Sequence, residues 1–350
     1  MIMDNVITIA IPVYNVEKYI EKSLLSALNQ DFAFPYEILI IDDCGSDKSM
    51  QIVNRILNEH ERGSYARIIR HSTNLGLGPA RNTAIENASG KYLFFLDSDD
   101  WISENCLSIL YAKAEETKSD ITVGSTLRVE EDSMREIGKN IYPNKTIETS
   151  AAGVYMVIHS PDMHIEVWNK LYLVEYLRTN KICCIHKIFE DYIFDFVARA
   201  TASKITLCSD VTLYYNIRSN SILTKLKDKA TDEAANTLSD IIRKMQMLVL
   251  QKFKNVAYIY DLYFLRVIWV LENFSRYDFD EVQKNTINEN LKGFCRWIPS
   301  RGCLKHPRNK YIYDRCLCNE TLEHFSYINK KSCTFPLKLY FKIKKKLLVR

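Results

Sequence analysis

No apolar run in this chain approaches the roughly 20 residues a membrane-spanning helix needs, and the N-terminus lacks a signal-peptide pattern. Paired CxxC spacing is missing although there are ten cysteines. Those thiols are therefore expected to be reduced and cytosolic, and the loose group Cys303, Cys316, Cys318 and Cys333 does not have zinc-site spacing. A GxGxxG turn is absent after the first apolar run, which argues against a dinucleotide-dependent dehydrogenase. The same stretch, Pro12-Val13-Tyr14-Asn15-Val16-Glu17, has no glycine and no lysine, so the phosphate loop of a nucleotidyltransferase is missing too. There is no internal repeat and no Gly/Ser-rich linker. Acidic residues are absent from 330 to 350, where eight basic ones gather (Lys330, Lys331, Lys338, Lys342, Lys344, Lys345, Lys346 and Arg350).

That last absence changes the meaning of the net charge. With 47 Lys+Arg against 43 Asp+Glu the chain is formally +4, yet residues 1–329 carry about −4. A protein that coats nucleic acid spreads basic charge over a face, so no nucleic-acid partner is expected. The rest of the composition, 47% hydrophobic and 26% charged in 350 residues, is that of a globular protein long enough for about two domains.

Residues 6–13, 37–41, 66–69 and 91–96 read as buried strands, and a fifth begins at 120–123. Helical spacing fills 17–30, the stretch after Ser46, 79–88 and 103–118, with Ser46 and Ser103 as expected N-caps and Pro79 in a first turn. Continuous rather than alternating apolar strands separated by helices predict an α/β fold with a mostly parallel sheet between helices. Residues 128–150 are polar and weakly patterned, the mark of a connecting or acceptor-side segment. Helices are expected at 151–158 and 191–202, short strands near 205–207 and 212–215, and mainly helical structure over 238–274, with a boundary near 220–230.

Ligands of such sheets sit beyond the carboxyl ends of the strands. Four polar stretches fall there: Tyr14-Asn15, Asp42-Asp43, His71 to Asn74, and Asp97 to Asp100. Three Asp in four positions exceed what a helix cap needs and suit a hard divalent cation, which takes one or two carboxylates and completes its shell with phosphate and water. Asp42-Asp43 alone reads equally well as a turn; its value comes from lining the same crevice.

At this point the chain resembles the family-2 glycosyltransferases with the GT-A nucleotide-sugar fold. The matching stretches, in order, are IPVYNVEKYIEKSLLSALNQ, EILIIDDCGSDKS, NLGLGPARNTAI and KYLFFLDSDDW, followed by VWNKLY (167–172), FEDYIF (189–194) and LYYNIRSNSI (213–222). The resemblance covers roughly 5–225, implying a catalytic domain at 1–225, a mainly helical domain at 226–332 and a basic amphipathic tail at 333–350. It implies that Pro12 and Tyr14 lie along the nucleotide and that Asp43 reads a uracil imide. Arg81 would sit near the base or phosphates. Asp97, Ser98 and Asp99 form the DxD motif, with Asp97 facing ribose and metal and Asp99 ligating Mn²⁺ or Mg²⁺. Lys170 and Arg218 would meet phosphate, with Ser221 beside Arg218. Asp191, next to Glu190, would be the catalytic base. Trp168 divides between core and acceptor pocket, and His186 is a weak candidate metal ligand.

The implied reaction is inverting transfer of a sugar from a nucleotide-diphosphate donor, expected to be a UDP-sugar, to a glycan or lipid-linked saccharide acceptor. The chemistry agrees: a cation offsets charge growing on the diphosphate, and one carboxylate opposite it takes the acceptor proton, so a single displacement inverts the anomeric carbon. A nucleotidyltransferase or a non-catalytic carbohydrate-binding relative is the alternative. Residues 335–350 (FPLKLYFKIKKKLLVR) interleave apolar and basic side chains, an interfacial pattern. They place the expected site of action at the inner face of the plasma membrane, as a cytoplasmic, peripheral protein.

Overall fold

The computed structural model describes residues 5–131, 133–148, 166–218, 231–253, 259–260, 262–263, 266–267 and 277–291. The chain divides into two compact units, 1–219 and 220–350. Unit 1 is built on a ten-stranded sheet. Its elements in chain order are β1 (Ile7–Val13), α1 (Ile20–Leu28), β2 (Tyr36–Asp42), α2 (Ser49–Glu59), β3 (Ala66–Arg70), α3 (Leu77–Asn87), β4 (Tyr92–Phe95), β5 (Trp101–Ile102), α4 (Cys106–Thr117), β6 (Ile121–Glu130), β7 (Glu136–Asn140), β8 (Lys145–Glu148), β9 (Lys170–Leu173), α5 (Val174–Thr179), α6 (Asp191–Thr201) and β10 (Lys204–Ile217).

Every residue of β1, β2 and β4 is buried. Each Ile, Leu or Phe taken out of water there contributes roughly 1.5–3 kcal/mol, and α1, α2 and α4 pack on the same core through Leu24, Leu28, Val53, Ile56, Leu107 and Leu110. The strand order is β3-β2-β1-β4-β9-β6-β10-β5, with β7 on β6 and β8 on β10. The first four strands are parallel, as the continuous apolar runs predict. Antiparallel β9 then enters between β4 and β6, while β6 and β10 are parallel to each other.

Several expectations need correcting. Residues 128–148, read as a connection, hold the end of β6 and the strands β7 and β8. These half-exposed strands pair through backbone and need no apolar alternation. The two short strands expected at 205–207 and 212–215 are one strand, β10, whose register shifts between Leu207 and Leu213. Neither serine caps its helix. Ser46 gives its backbone N–H to Asn15 Oδ1 (2.8 Å), whereas Asp47 Oδ1 accepts the N–H of Ser49 at the start of α2 (2.9 Å). Ser103 contributes only its carbonyl, to Cys106 N at 3.0 Å.

In unit 2 the regular elements among the described residues are helical: α7 (Asp232–Leu248), a π turn (Val249–Phe253) and α8 (Glu281–Leu291). Thr231 caps α7 by accepting from Ala234 N, and Gln283 of α8 donates to Asp232 Oδ1 at 2.8 Å. No helix among the described residues is long and apolar enough to cross a membrane. The expected helix at 151–158, Ser221 and the tail at 333–350 lie outside the described residues.

Candidate active site

The sheet register brings the acidic strand ends together. Val13 of β1 pairs with Asp42 of β2, and β4 lies on the other side of β1 with Leu96 N bonded to Ala10 O at 3.0 Å. The loops leaving β1 and β2 are bolted to each other. Asn15, in the left-handed region at φ 51°, accepts from Ser46 N and Asp47 N, and Glu17 and Asp47 exchange backbone bonds with each other's loops. Pro12 is buried in β1 and Tyr14 is 45% exposed at its end.

Asp43, only 3% exposed, is held by three donors. Leu75 N and His71 Nδ1 approach Oδ1 at 2.9 and 2.7 Å, and Gly76 N approaches Oδ2 at 2.8 Å. Gly76 reaches this position with φ +93°, a conformation that L side chains rarely adopt.

The β4 end is different. One carboxylate oxygen from each of Asp97, Asp99 and Asp100 lies within 4.8 Å of the others. Arg218 Nη2 meets Asp99 Oδ2 at 2.6 Å, and its guanidinium lies over the Tyr19 ring at 5.0 Å. Asp100 takes Asn216 N on Oδ1 at 2.8 Å, a contact made because β5 and β10 pair antiparallel at Trp101↔Tyr214. Its Oδ2 is buried with no hydrogen-bond partner. Burial holds the Asp99 carboxyl above its usual range, with Arg218 opposing and Asp97 adding to the shift. Burial, then repulsion from Asp99 and Asp97, pushes Asp100 well above it. An orphaned carboxylate oxygen inside a hard, all-oxygen donor set fits a divalent cation. Ser98, between these ligands, is buried.

Arg81 links this end to the far side of the crevice. It is 2% exposed, with Nη2 on Asp97 Oδ1 at 2.7 Å and Nη1 on Glu190 Oε1 at 2.6 Å. Both terminal nitrogens, expected near the base or phosphates, are thus engaged by carboxylates. The bridge is possible because α3 packs tightly on the segment before α6: a Cβ at Gly78 would meet Ile185 O at 2.1 Å. Asp191 begins α6, where burial, then repulsion from Glu190 and Glu166, raises its carboxyl well above the ordinary range. Such a group holds a proton more tightly than a free aspartate, the property a general base needs.

Lys170 is buried, donates to the Glu166 carbonyl, and is pushed down to about 8 by burial, against the neighbouring charges of Asp195, Glu166 and Asp191. Trp168 belongs to the core, stacked on Tyr215 at 5.3 Å and 14°. His186 is exposed and outside the carboxylate group, which is the only metal-ligand cluster among the described residues. The sequence pattern assigns no role to three residues of this region. His71 was visible only as one of several polar strand-end residues. Asp100 was grouped with its neighbours but given no role. Asn169 ties β6, β9 and β10 together through four side-chain bonds, to Gly124 O, Ser125 O, Thr126 Oγ1 and Thr212 Oγ1. No spacing rule announces a bolt of that kind.

A mixed, mostly parallel sheet between helices with an acidic cluster at the end of β4 defines the GT-A class. Residues 8–175 match the model of glycosyl transferase family 2, so this part of the chain is a family-2 glycosyltransferase domain. It is 30% identical over 263 residues to glycosyltransferase GlyA of Streptococcus pneumoniae serotype 4, covering 69% of this chain and 35% of that protein. It is 32% identical over 216 residues to the poly(ribitol-phosphate) beta-glucosyltransferase of Bacillus spizizenii, covering 61% of this chain and 32% of that protein. The chain thus spans about a third of the length of these curated relatives. Its fold is that of S. aureus TarS 1–349 solved in complex with UDP-GlcNAc, at TM-score 0.68 and 20% identity, over 93% of this chain and 90% of that one.

Proposed function

We propose that the chain is an inverting glycosyltransferase that moves a sugar from a UDP-sugar to a hydroxyl of a glycan or lipid-linked oligosaccharide. The observation that carries this reading is the pair of acidic groups across one crevice: the carboxylates of Asp97, Asp99 and Asp100 on one side, and Asp191 on the other, joined through Arg81 and Glu190. The TarS complex with UDP-GlcNAc and the poly(ribitol-phosphate) transferase among the relatives support a UDP-sugar donor and a hydroxyl-bearing surface-polymer acceptor.

Asp97 and Asp99 would hold the divalent cation, Mn²⁺ or Mg²⁺, with Asp100 in the same carboxylate group. When bound, the cation offsets the negative charge that grows on the diphosphate as the glycosidic bond breaks. Asp43 accepts the imide N–H of the base, and Pro12, Tyr14 and Ser98 line the nucleotide. Arg218, now on Asp99, is within the ligand cluster and turns to the diphosphate as donor enters. Arg81 orients Asp97 and Glu190. Asp191 takes the proton of the acceptor hydroxyl as its oxygen bonds to the anomeric carbon, and UDP departs from the opposite face. Lys170, close to Asp191 and Asp195, tunes the charge around the base. Residues 1–225 form the catalytic domain and 226–332 the helical one. The tail at 335–350 holds the protein peripherally at the cytoplasmic membrane face, each clustered lysine contributing on the order of 1 kcal/mol on anionic lipid. Equal recovery of full-length and Δ335–350 protein in the soluble fraction would rule that last point out.

The test of the central reading is a hydrolysis screen of UDP-, GDP- and dTDP-sugars with Mn²⁺ or Mg²⁺. A UDP-sugar is expected to be turned over. Failure of every donor, or activity that survives Asp99→Asn, overturns the mechanism.

A further inference from the structure

Asp43 has an acceptor arithmetic that the proposed donor site leaves unexplained. An aspartate carboxylate offers about four acceptor directions, and at 3% exposure water does not fill them here. Three are taken by protein. Oδ1 receives both His71 Nδ1–H (2.7 Å) and Leu75 N–H (2.9 Å), and Oδ2 receives Gly76 N–H (2.8 Å). One direction remains, on Oδ2. The histidine itself is clamped. Its backbone N–H goes to Asp42 O at 2.9 Å, and its Nε2 lies 2.9 Å from Thr83 Oγ1 on α3.

Resting on the reading of Asp43 as the base-recognising group, we propose that His71 is a positioning residue for base selection. Its Nδ1 proton keeps Asp43 an acceptor-only carboxylate with one open direction, which selects a base that presents a ring N–H, uracil over cytosine. The geometry assigns the proton. With hydrogen on Nδ1, Nε2 is free to accept the Thr83 hydroxyl proton, and both contacts are satisfied. With hydrogen on Nε2, the Nδ1 lone pair faces Asp43 Oδ1 at 2.7 Å. Only a proton on Oδ1 relieves that clash, and Leu75 N–H already occupies the same oxygen. In that tautomer the His71 Nδ1–H joins Leu75 N–H on Oδ1 and Gly76 N–H on Oδ2 in favouring the ionised carboxylate, so the open direction on Oδ2 meets the base as an acceptor, which suits the N3–H of uracil and not the bare N3 of cytosine. His71 touches no reacting atom; it acts through Asp43.

Calorimetry on the full chain with Mn²⁺, using UDP, CDP and N3-methyl-UDP, tests this. Wild type should bind UDP tighter than either analogue by about tenfold, the value of one hydrogen bond to a charged group. N3-methyl-UDP binding as tightly as UDP removes the Asp43 reading itself, independently of His71. His71→Asn keeps an amide N–H near the place of Nδ1 and drops Thr83. His71→Gln reaches toward Nε2 and drops Asp43. The Asn variant should retain the UDP-over-CDP ratio and the Gln variant should lose about tenfold of it, with matched melting temperatures showing both folded. Equal ratios in the two variants make His71 merely structural and overturn the proposal. If neither variant folds, the nitrogen-15 spectrum of the wild-type histidines decides. An Nδ1–H tautomer for the buried imidazole supports the proposal, and an Nε2–H tautomer ends it.

Discussion

The ends of β2 and β4 look alike on the page of sequence, Asp42-Asp43 against Asp97-Ser98-Asp99-Asp100, and are physical opposites. Asp43 is a satisfied carboxylate, with two backbone N–H groups and an imidazole around it. At β4 three carboxylates face one another, one oxygen of Asp100 has no donor, and burial pushes Asp99 and Asp100 toward protonation. The first arrangement stabilises a fixed negative charge and presents what remains of it. The second raises the energy of negative charge and can be relieved by a cation. Acidic residues at adjacent strand ends thus do different work according to how many N–H groups the following loop turns back toward them.

The largest effect should separate the two ends by metal. Asp99→Asn should lower Mn²⁺ affinity by about a hundredfold or more and transfer by about a thousandfold, as loss of a main electrostatic group does. Asp43→Asn should leave Mn²⁺ titrations unchanged while weakening UDP. If both substitutions weaken Mn²⁺ alike, the distinction between the ends collapses. Across the crevice, Asp191→Asn should abolish transfer while UDP still binds; loss of both would make Asp191 structural.

The next effect is in pH. Transfer needs Asp191 as carboxylate, and its folded-state pKa is raised, chiefly by burial. The rate should therefore be lost as pH falls through that raised value and recover above it. This places the acid limb of kcat above the ordinary aspartate value of about 3.9. A limb at or below that value, in a full pH–rate profile, contradicts the environment described for Asp191.

A smaller effect concerns stability, where the two ends should differ in sign. Asp43→Asn forfeits charge-assisted bonds and should lower the melting temperature of the cation-free protein by roughly 2–4 °C. At Asp100 the sign is reversed. A carboxyl with a raised folded pKa contributes stability below its unfolded value and loses it as pH rises through the folded one. At neutral pH the charge is therefore a cost, and Asp100→Asn should raise the melting temperature by a similar roughly 2–4 °C, since the amide keeps the acceptor for Asn216 N. Scanning calorimetry without added metal reads both. The smallest effect is at Arg70, which is exposed and 3.3 Å from Asp42. Arg70→Ala should change stability by less than about 0.5 kcal/mol in denaturant titrations, and a larger loss would mean that the β2 end depends on more than Asp43.

The parallel half of the sheet was legible because β1, β2 and β4 are buried on both faces and their sequences are apolar without interruption. Position then did the rest, since carboxylates following such strands have only one sheet edge to occupy. What stayed hidden depends on partners far away in the chain. Arg81 spans Asp97 and Glu190, 16 and 109 positions off, and no local pattern encodes such a bridge. The four residues of β9 are too few to reveal that they run antiparallel between β4 and β6. The polar strands β7 and β8 pair by backbone, which leaves side-chain patterning free. Ser46 and Ser103 do not cap because Asp47 takes the first turn of α2, a local competition that sequence leaves undecided, and Gln30 Oε1, 77 positions away, accepts Leu107 N at 3.0 Å in the first turn of α4.

The β10 contacts also set an order in time. The strands β1 to β4 pair with neighbours made at about the same moment, and β9 joins them once residues 170–173 have been synthesised. Asp100 waits for Asn216 and Asp99 for Arg218, more than a hundred residues later. A nascent chain ending near 175 therefore holds the acid cluster with Arg81 on Asp97, but without the backbone donor of Asp100 or the counter-charge of Asp99. Contacts of such sequence separation are slow to form, so these crowded carboxylates gain their last two partners after the parallel strands around them have been made.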